Sequence, residues 1–279
     1  MTKESNVTPA FGRFLKFWRD VYSISQEELA ERLNSSPRHI SRIENGSGRP
    51  SEALVLEIGK TLSLGSRDLN HLLISAGYTQ QEKHISFHDP DMKWLRKSML
   101  YTVKALDPYP TAITDSSTNI LMVNKGWVSL FRKSISKAVL DKVDNHYDFL
   151  FQREAAGKDV SQWEDTLSMI LMSLQQKVLM TGSSTAEAHL QRLTAKPEVP
   201  DDWRQRAAKL EPMASFRVQT RIDGVLTQFF SVSSTVGAIG PAAYVSEPQL
   251  TISTLYPEDD NIDLSKLIDP NLTHPLLFY

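Results

Sequence analysis

The stretch that decides the fold runs from Ser25 to Pro50, SQEELAERLNSSPRHISRIENGSGRP. It predicts two short helices joined by a tight turn. Ser25 is placed to cap the first helix, and Glu28, three residues on, completes a capping box. Leu29 and Leu33 recur one turn apart, with Ala30 small enough to admit a crossing helix. Asn34, Ser35 and Ser36 then bring side chains that compete for backbone hydrogen bonds and end the helix. Ser36 suits the N-cap of the second helix, and Pro37 its first position, where no N–H is needed. Ile40 and Ile43 supply its buried stripe, and Asn45-Gly46 its stop.

What the second helix leaves exposed carries the functional signal. Arg38, His39, Ser41 and Arg42 concentrate in its N-terminal half, where a helix lying in the major groove meets base edges. An arginine can bond guanine O6 and N7 in a bidentate way, at about 1–3 kcal/mol of discrimination per good contact. Gln26 opens the first helix, where a side-chain amide and free backbone N–H groups suit a phosphate.

The segment resembles the helix-turn-helix of phage repressors and Cro, the XRE family of bacterial regulators. The residues that carry the resemblance are Gln26, Leu29-Ala30, Ile40 to Gly46, and Arg49-Pro50. It implies that Gln26 contacts backbone phosphate and that Pro37, Arg38, Ser41 and Arg42 face the groove; Pro37 departs from the pattern in offering no side-chain donor. The expected DNA-binding set is Gln26, Ser36, Pro37, Arg38, His39, Ser41, Arg42, Asn45 and Arg49. The expected partner is double-stranded DNA, a pseudo-palindromic operator bound by a homodimer with half-sites about 34 Å apart.

At 279 residues the chain exceeds one average domain. Its 41% apolar and 23% charged content is that of an ordinary globular protein. A net charge of −2 excludes a coat of basic residues, so nucleic-acid contact must be a local patch. Residues 1–80 hold ten Lys/Arg against nine Asp/Glu, so affinity should rest on geometry and dimerisation more than bulk electrostatics. The absence of cysteine rules out disulfides, thiolate zinc sites and thiol catalysis. The N-terminal MTKESNVTPA has no apolar core, and no run reaches the length of a membrane span, which points to the cytoplasm.

Along the chain, Phe11, Phe14, Leu15, Trp18, Val21 and Tyr22 predict a helix before the motif; after it, Ser51 caps a helix carrying Leu54 to Leu62, and Leu69 to Ala76 predict another. An all-α, five-helix bundle over 1–80 follows. Residues 81–91 are polar and unpatterned and read as a linker; His84 and His88 would share a metal only if this were a helix, which Pro90 opposes, so no metal site is expected.

A second, α+β domain is expected over 92–256. Trp94, Leu95, Met99, Leu100 and Val103 predict a helix, and Thr111–Asp115 and Ile120–Asn124 two short strands. In Trp163–Gly182 one apolar stripe runs from Trp163 to Val178, while Met169, Met172, Leu179 and Met180 lie on the other side, so cover is expected on both. Asp223-Gly224 marks a hairpin that sets Ile222 opposite Val225 and Val218 opposite Phe229, and Tyr244 to Leu255 supplies a further strand. Residues 257–279 form an acidic, proline-spaced tail whose apolar end, Leu276 to Tyr279, needs cover from its own domain or a partner's.

The order hairpin, helices, antiparallel strands is that of a PAS-like sensory domain. The segment YPTAITDSSTNILMVNKGWVSLF resembles the opening of the MmyB-like ligand-binding domain, at Tyr109-Pro110, Asn124, Trp127 and Leu130-Phe131, and again at Val245 to Pro248. That resemblance implies a PAS-like fold with an apolar pocket and a small apolar ligand, a bound fatty acid among those implied, with no other cofactor. Trp127, Phe131, Met169, Met172 and Phe229 are candidates to line the pocket. Arg153, Arg217 and Arg221 are candidates to hold a head group, Arg153 foremost. Two other functions are weighed: a second domain that only dimerises or binds protein, and an enzyme or self-cleaving repressor. Ala76-Gly77 sits where such repressors are cut, but no Gly-Asp-Ser type motif follows, so no catalysis is expected.

Overall fold

The computed structural model describes residues 9–79, 86–153, 162–210, 217–222, 225–236 and 248–279. They fall into two compact units, one holding residues 9–79 and the other those from 86 onward.

The first unit is the five-helix bundle: α1 (Ala10–Val21), α2 (Gln26–Arg32), α3 (Pro37–Glu44), α4 (Glu52–Thr61) and α5 (Ser66–Ser75). The caps fall where the side chains predict. The Oγ atoms of Ser25, Ser36 and Ser51 accept from the backbone N–H of Glu28, His39 and Leu54 at 3.0, 3.2 and 3.3 Å. The other half of the expected capping box is replaced: Glu28 accepts from Arg32 at 2.6 Å. Leu15, Leu29, Ile40, Ile58 and Leu72 are fully buried in one core. Gly46 takes φ +83°, and a Cβ there would come within 2.2 Å of Pro9.

The second unit is built on one antiparallel sheet. Its strands are β1 (Thr111–Thr114), β2 (Ile120–Val123), β3 (Arg217–Ile222), β4 (Val225–Val236) and β5 (Leu250–Pro257), in the order β2-β1-β5-β4-β3. The β3–β4 register is the expected one, with Ile222 opposite Val225 and Val218 opposite Phe229. The Asp223-Gly224 turn, and Tyr244 to Glu247 of the expected last strand, lie outside the described residues. α6 (Lys93–Ala105) precedes the sheet and buries Met99 and Val103 with Ile113 and Met122. Its Trp94 is 69% exposed and is no part of that stripe.

Between β2 and β3 run α7 (Lys125–Phe131), α8 (Lys137–Leu140), α9 (His146–Leu150), α10 (Trp163–Thr181), α11 (Ser184–Thr194) and α12 (Trp203–Lys209). Asn124 fixes the start of α7. Its Oδ1 accepts from the backbone N–H of Trp127 and Thr111 at 2.9 Å each, while its Nδ2 donates to the carbonyl of Tyr109 at 2.8 Å. Gly126 is required by close approach, since a Cβ would lie 2.3 Å from the Pro108 carbonyl oxygen. One core joins Trp127, Phe131 and Phe149 to the sheet, and another packs Leu167, Leu171 and Leu193 among the helices.

Two boundary expectations change. Phe87, inside the stretch read as linker, is buried with Met99 and Leu250, because an aromatic ring beside the open edge of that core gains more by packing than by solvation. The stretch read as an acidic tail is built into the same unit. Leu264 and Leu272 are buried beside Trp127, and Leu276 and Leu277 pack against that core. The Leu276 carbonyl accepts from Val123 N–H at 2.9 Å. Tyr279 donates its hydroxyl to Asp107 at 2.5 Å, with Lys104 and Lys125 over its ring. The apolar end is therefore covered within its own chain.

Candidate nucleic-acid interface and ligand cavity

On α3 the bundle exposes Pro37, Arg38, His39 and Arg42 and leaves Ser41 half-buried, while Ile40 and Ile43 face the core. A contiguous donor-rich face results, carried by one short rigid element. Its orientation is fixed by a contact that the motif reading missed. Arg19 of α1 grips Glu44 at the end of α3 through Nε (2.9 Å) and Nη2 (2.7 Å), and donates Nη1 to the Ile24 carbonyl at 2.8 Å. Both side chains are about nine-tenths buried. Donating to the Glu44 carboxylate holds the Arg19 guanidinium above its ordinary pKa. The available signal was weak: an arginine inside an otherwise apolar helix stripe, and a lone acid at the end of a basic helix.

Four members of the expected DNA-binding set have local contacts, the longest from Arg42, which donates Nη2 to the Ser47 carbonyl at 3.5 Å. Ser36 caps α3. Asn45 accepts from Ser47 N–H at 3.0 Å. Arg49 donates to the carbonyls of Ala76 and Gly77 at 3.3 and 3.2 Å and lies 5.0 Å over the Tyr78 ring, closing the end of α5. Gln26, half-buried, opens α2.

The second unit contains a cavity of about 380 Å³ between the sheet and the helices, within the range of small-molecule sites. Its helix side combines Trp127, Phe131, Phe149 and Ile170 with His146, Thr166 and Lys177; its sheet side carries Thr114, Thr235, Thr251, Ser231, Ser233 and Ser253. Of the candidates for a pocket wall, Trp127 and Phe131 line this cavity. Met169, Met172, Phe229 and Arg153 do not reach it. Phe229 is fully buried in the core below. Arg153 lies 5.8 Å over the Trp163 ring.

The face of α10 turned to the cavity is Thr166, Ile170 and Lys177. Successive helical residues are about 100° apart, so Met169 and Met172 point elsewhere. Both are half-buried, and Leu179 and Met180 are 75% and 84% exposed, so the expected second-side cover is partial.

Lys177, rather than any of the arginine candidates, brings a cationic side chain to the cavity. It is the one Lys or Arg among the described lining residues, and its Nζ lies 3.4 Å from the Ser116 carbonyl oxygen. Asp115, also lining, is already satisfied by Ser117 and Asn119 N–H at 2.9 Å each. His146 lines the same region; its backbone N–H donates to Thr118, and its Nδ1 has no partner among the described residues. Burial lowers its pKa to about 4, so it stands neutral at pH 7. Burial likewise lowers His189 and raises Tyr147. Among the described residues no group of His, Cys, Asp and Glu is placed to hold a metal, and no helix is long and apolar enough to cross a membrane.

A bundle that presents a groove-sized basic helix, joined in one chain to a cavity-bearing domain, defines a DNA-binding transcription regulator with a ligand-binding C-terminal domain. Residues 15–69 match the helix-turn-helix family, and residues 95–261 match the MmyB-like transcription regulator ligand binding domain. The chain belongs to that MmyB-like family. No curated protein matches it.

Proposed function

We propose that this protein controls transcription in response to a small, apolar, fatty-acid-like acid held in the cavity of a PAS-like domain. The observation that carries the reading is the cavity itself, with aromatic walls and Lys177 as its cation. The order β2-β1-β5-β4-β3, with all the intervening helices between β2 and β3, supports the PAS-like assignment. Lys177 is assigned to the acid's carboxylate, in place of Arg153.

The DNA-reading part is assigned to residues 1–80 and the sensor to Phe87 onward, tail included. Arg38, His39, Ser41 and Arg42 read base edges, and Gln26 holds phosphate. Two copies bind a pseudo-palindromic operator, since a bundle of charge near +1 gains little from electrostatics alone. The protein acts by binding rather than catalysis and works in the cytoplasm, where its DNA is.

The second reading, a domain that only dimerises or binds protein, is favoured by the uncovered face of β4, where Leu226, Phe230 and Val232 are 53%, 36% and 42% exposed. Native mass spectrometry of the purified protein separates the two. The ligand reading expects a small acid retained in near-stoichiometric amount, and thermal stabilisation when it is added. Solvent alone, with no thermal shift for any acyl acid, supports the second.

A further inference from the structure

The strand register grades the cavity floor from polar to apolar. Thr114 pairs with Thr251, which pairs with Thr235, so three threonines form the first row. This row adjoins Asp115, Ser116 and Lys177, which sets the charged end of the cavity there; Thr235 and Ser233 are both exposed. The next lining residues along the strands are Ala112, Ser253 and Ser233; Ser253 pairs with both, and the two serine Oγ atoms are 3.0 Å apart. Beyond them Ser231 pairs with Leu255, and Val218 with Phe229. Trp127, Phe131 and Phe149 close the apolar end.

We propose that the ligand is an organic acid bearing a second hydrogen-bonding group one strand row inside its carboxylate, with its apolar tail beyond. The proposal rests on the ligand-sensing reading above. Rows on one face of a strand are about 7 Å apart. A carboxylate on Lys177 at the charged end therefore leaves the following atoms of the ligand against Ser233 and Ser253. A saturated chain there strips water from two hydroxyls and returns no hydrogen bond. The serine pair spends one proton on its mutual bond and keeps the other to donate, so it suits a carbonyl, such as that of an amide or a ketone. The next row sets Ser231 beside Leu255 and the aromatic rings, where the apolar tail begins. The fitting class is an acyl-amino-acid-like or oxo acid, rather than a plain fatty acid.

Two probes of identical chain length isolate the second row: N-decanoylglycine and tridecanoate, which differ by one amide. The full-length protein, stripped of retained lipid on a hydrophobic resin, is titrated with each by calorimetry. We expect N-decanoylglycine to bind at least tenfold more tightly, and Lys177→Met to weaken both probes. The double variant Ser233→Ala/Ser253→Ala removes both partners of one hydrogen bond and leaves neither orphaned, so it should fold as the parent does. It should abolish the preference, weakening N-decanoylglycine, which loses its donor, and tightening tridecanoate, which no longer strips water from two hydroxyls. Equal or tighter binding of tridecanoate to the parent, or a preference that survives in the double variant, overturns the second-row assignment and leaves ligand sensing standing. If neither probe binds or shifts the melting temperature, the ligand-sensing reading falls and this proposal with it.

Discussion

The two halves of the molecule put their candidate functional groups on opposite sides of their cores. In the bundle the core is closed, with Leu15, Leu29, Ile40 and Ile58 inaccessible to solvent, and the working side chains are what α3 leaves outside. In the second unit they face inward, across a cavity whose lining comes from the sheet, α7, α9 and α10. A surface reader carried by one helix shares that helix's period, so core and function are read together. A pocket assembled from several elements has no common period, and its residues become visible only once strand register and helix rotation are known.

The largest predicted effect tests whether residues 258–279 belong to the second core. Leu264 and Leu272 are buried in the cluster that holds Trp127, and His274 packs edge-on to the Trp127 ring at 5.7 Å. Burying a leucine is worth about 1.5–3 kcal/mol, so a chain ending at Pro257 should lose about 3–6 kcal/mol from these two alone. That is comparable with the whole stability of many domains, about 5–15 kcal/mol. Calorimetry should show the second unit's transition collapse while that of the bundle stays. An unchanged second transition would return the segment to the role of solvated tail.

Next comes the ion pair that aims α3. Arg19→Ala or Glu44→Ala strands a buried charge, for which the expected cost is about 3–5 kcal/mol. Replacing both, as Arg19→Met with Glu44→Leu, should recover most of it. Hydrogen exchange of the bundle's amides reads both, and a double variant no better than the singles would mean that packing, not charge, dominates. The second unit should be indifferent to all three variants, which sharpens the contrast between the halves.

The cavity's own charge state makes the third test. The folded pKa of His146 lies near 4, below its unfolded value of about 6.5. Its stabilising contribution is present above pH 6.5 and lost as pH falls toward 4, by at most about 3 kcal/mol. Burial lowers His189 and His274 in the same direction, so the parent weakens from several sites at once. His146→Asn should flatten only its share of the slope in thermal denaturation between pH 7 and pH 4.5. Equal slopes in variant and parent refute the burial argument for this ring.

How much was legible follows from the same contrast. Caps at Ser25, Ser36 and Ser51, the Ile40/Ile43 stripe and the hairpin register were readable because each depends on neighbours in sequence. Trp127 and Phe131 were found because a quoted motif carries them. Lys177 was not, since it enters the cavity through helix rotation alone, a short way along α10 from Met172, which points elsewhere. The Arg19–Glu44 pair bridges residues 25 apart, and no periodicity links them. The tail was legible in part: Asp259 and Asp260 stay exposed and Leu276 and Leu277 take cover in their own chain, while the burial of Leu264 and Leu272 depends on contacts distant in sequence.

The smallest effect lies at Arg49, and it separates two kinds of arginine on the bundle. Arg38 and Arg42 are exposed on the reading face, so their alanine variants should leave folding intact and weaken binding to a selected operator by about 1–3 kcal/mol. Gln26→Ala should weaken binding to all sequences alike, as a phosphate contact does. Arg49 instead closes α5 through two carbonyls and stacks on Tyr78. Hydrogen bonds of this kind contribute about 0.5–1.5 kcal/mol net, and an exposed cation over an aromatic ring about 0.5–1 kcal/mol. Arg49→Ala should therefore cost about 1 kcal/mol in the bundle's stability. Arg49→Lys keeps the charge and loses the planar fork, so it should cost nearly as much. If Arg49 also touches phosphate, the alanine variant lowers the salt slope of DNA binding by about 1 while the lysine variant preserves it. A salt slope unchanged in both variants, with stability reduced in both, makes Arg49 a clamp on α5 and removes it from the DNA-binding set.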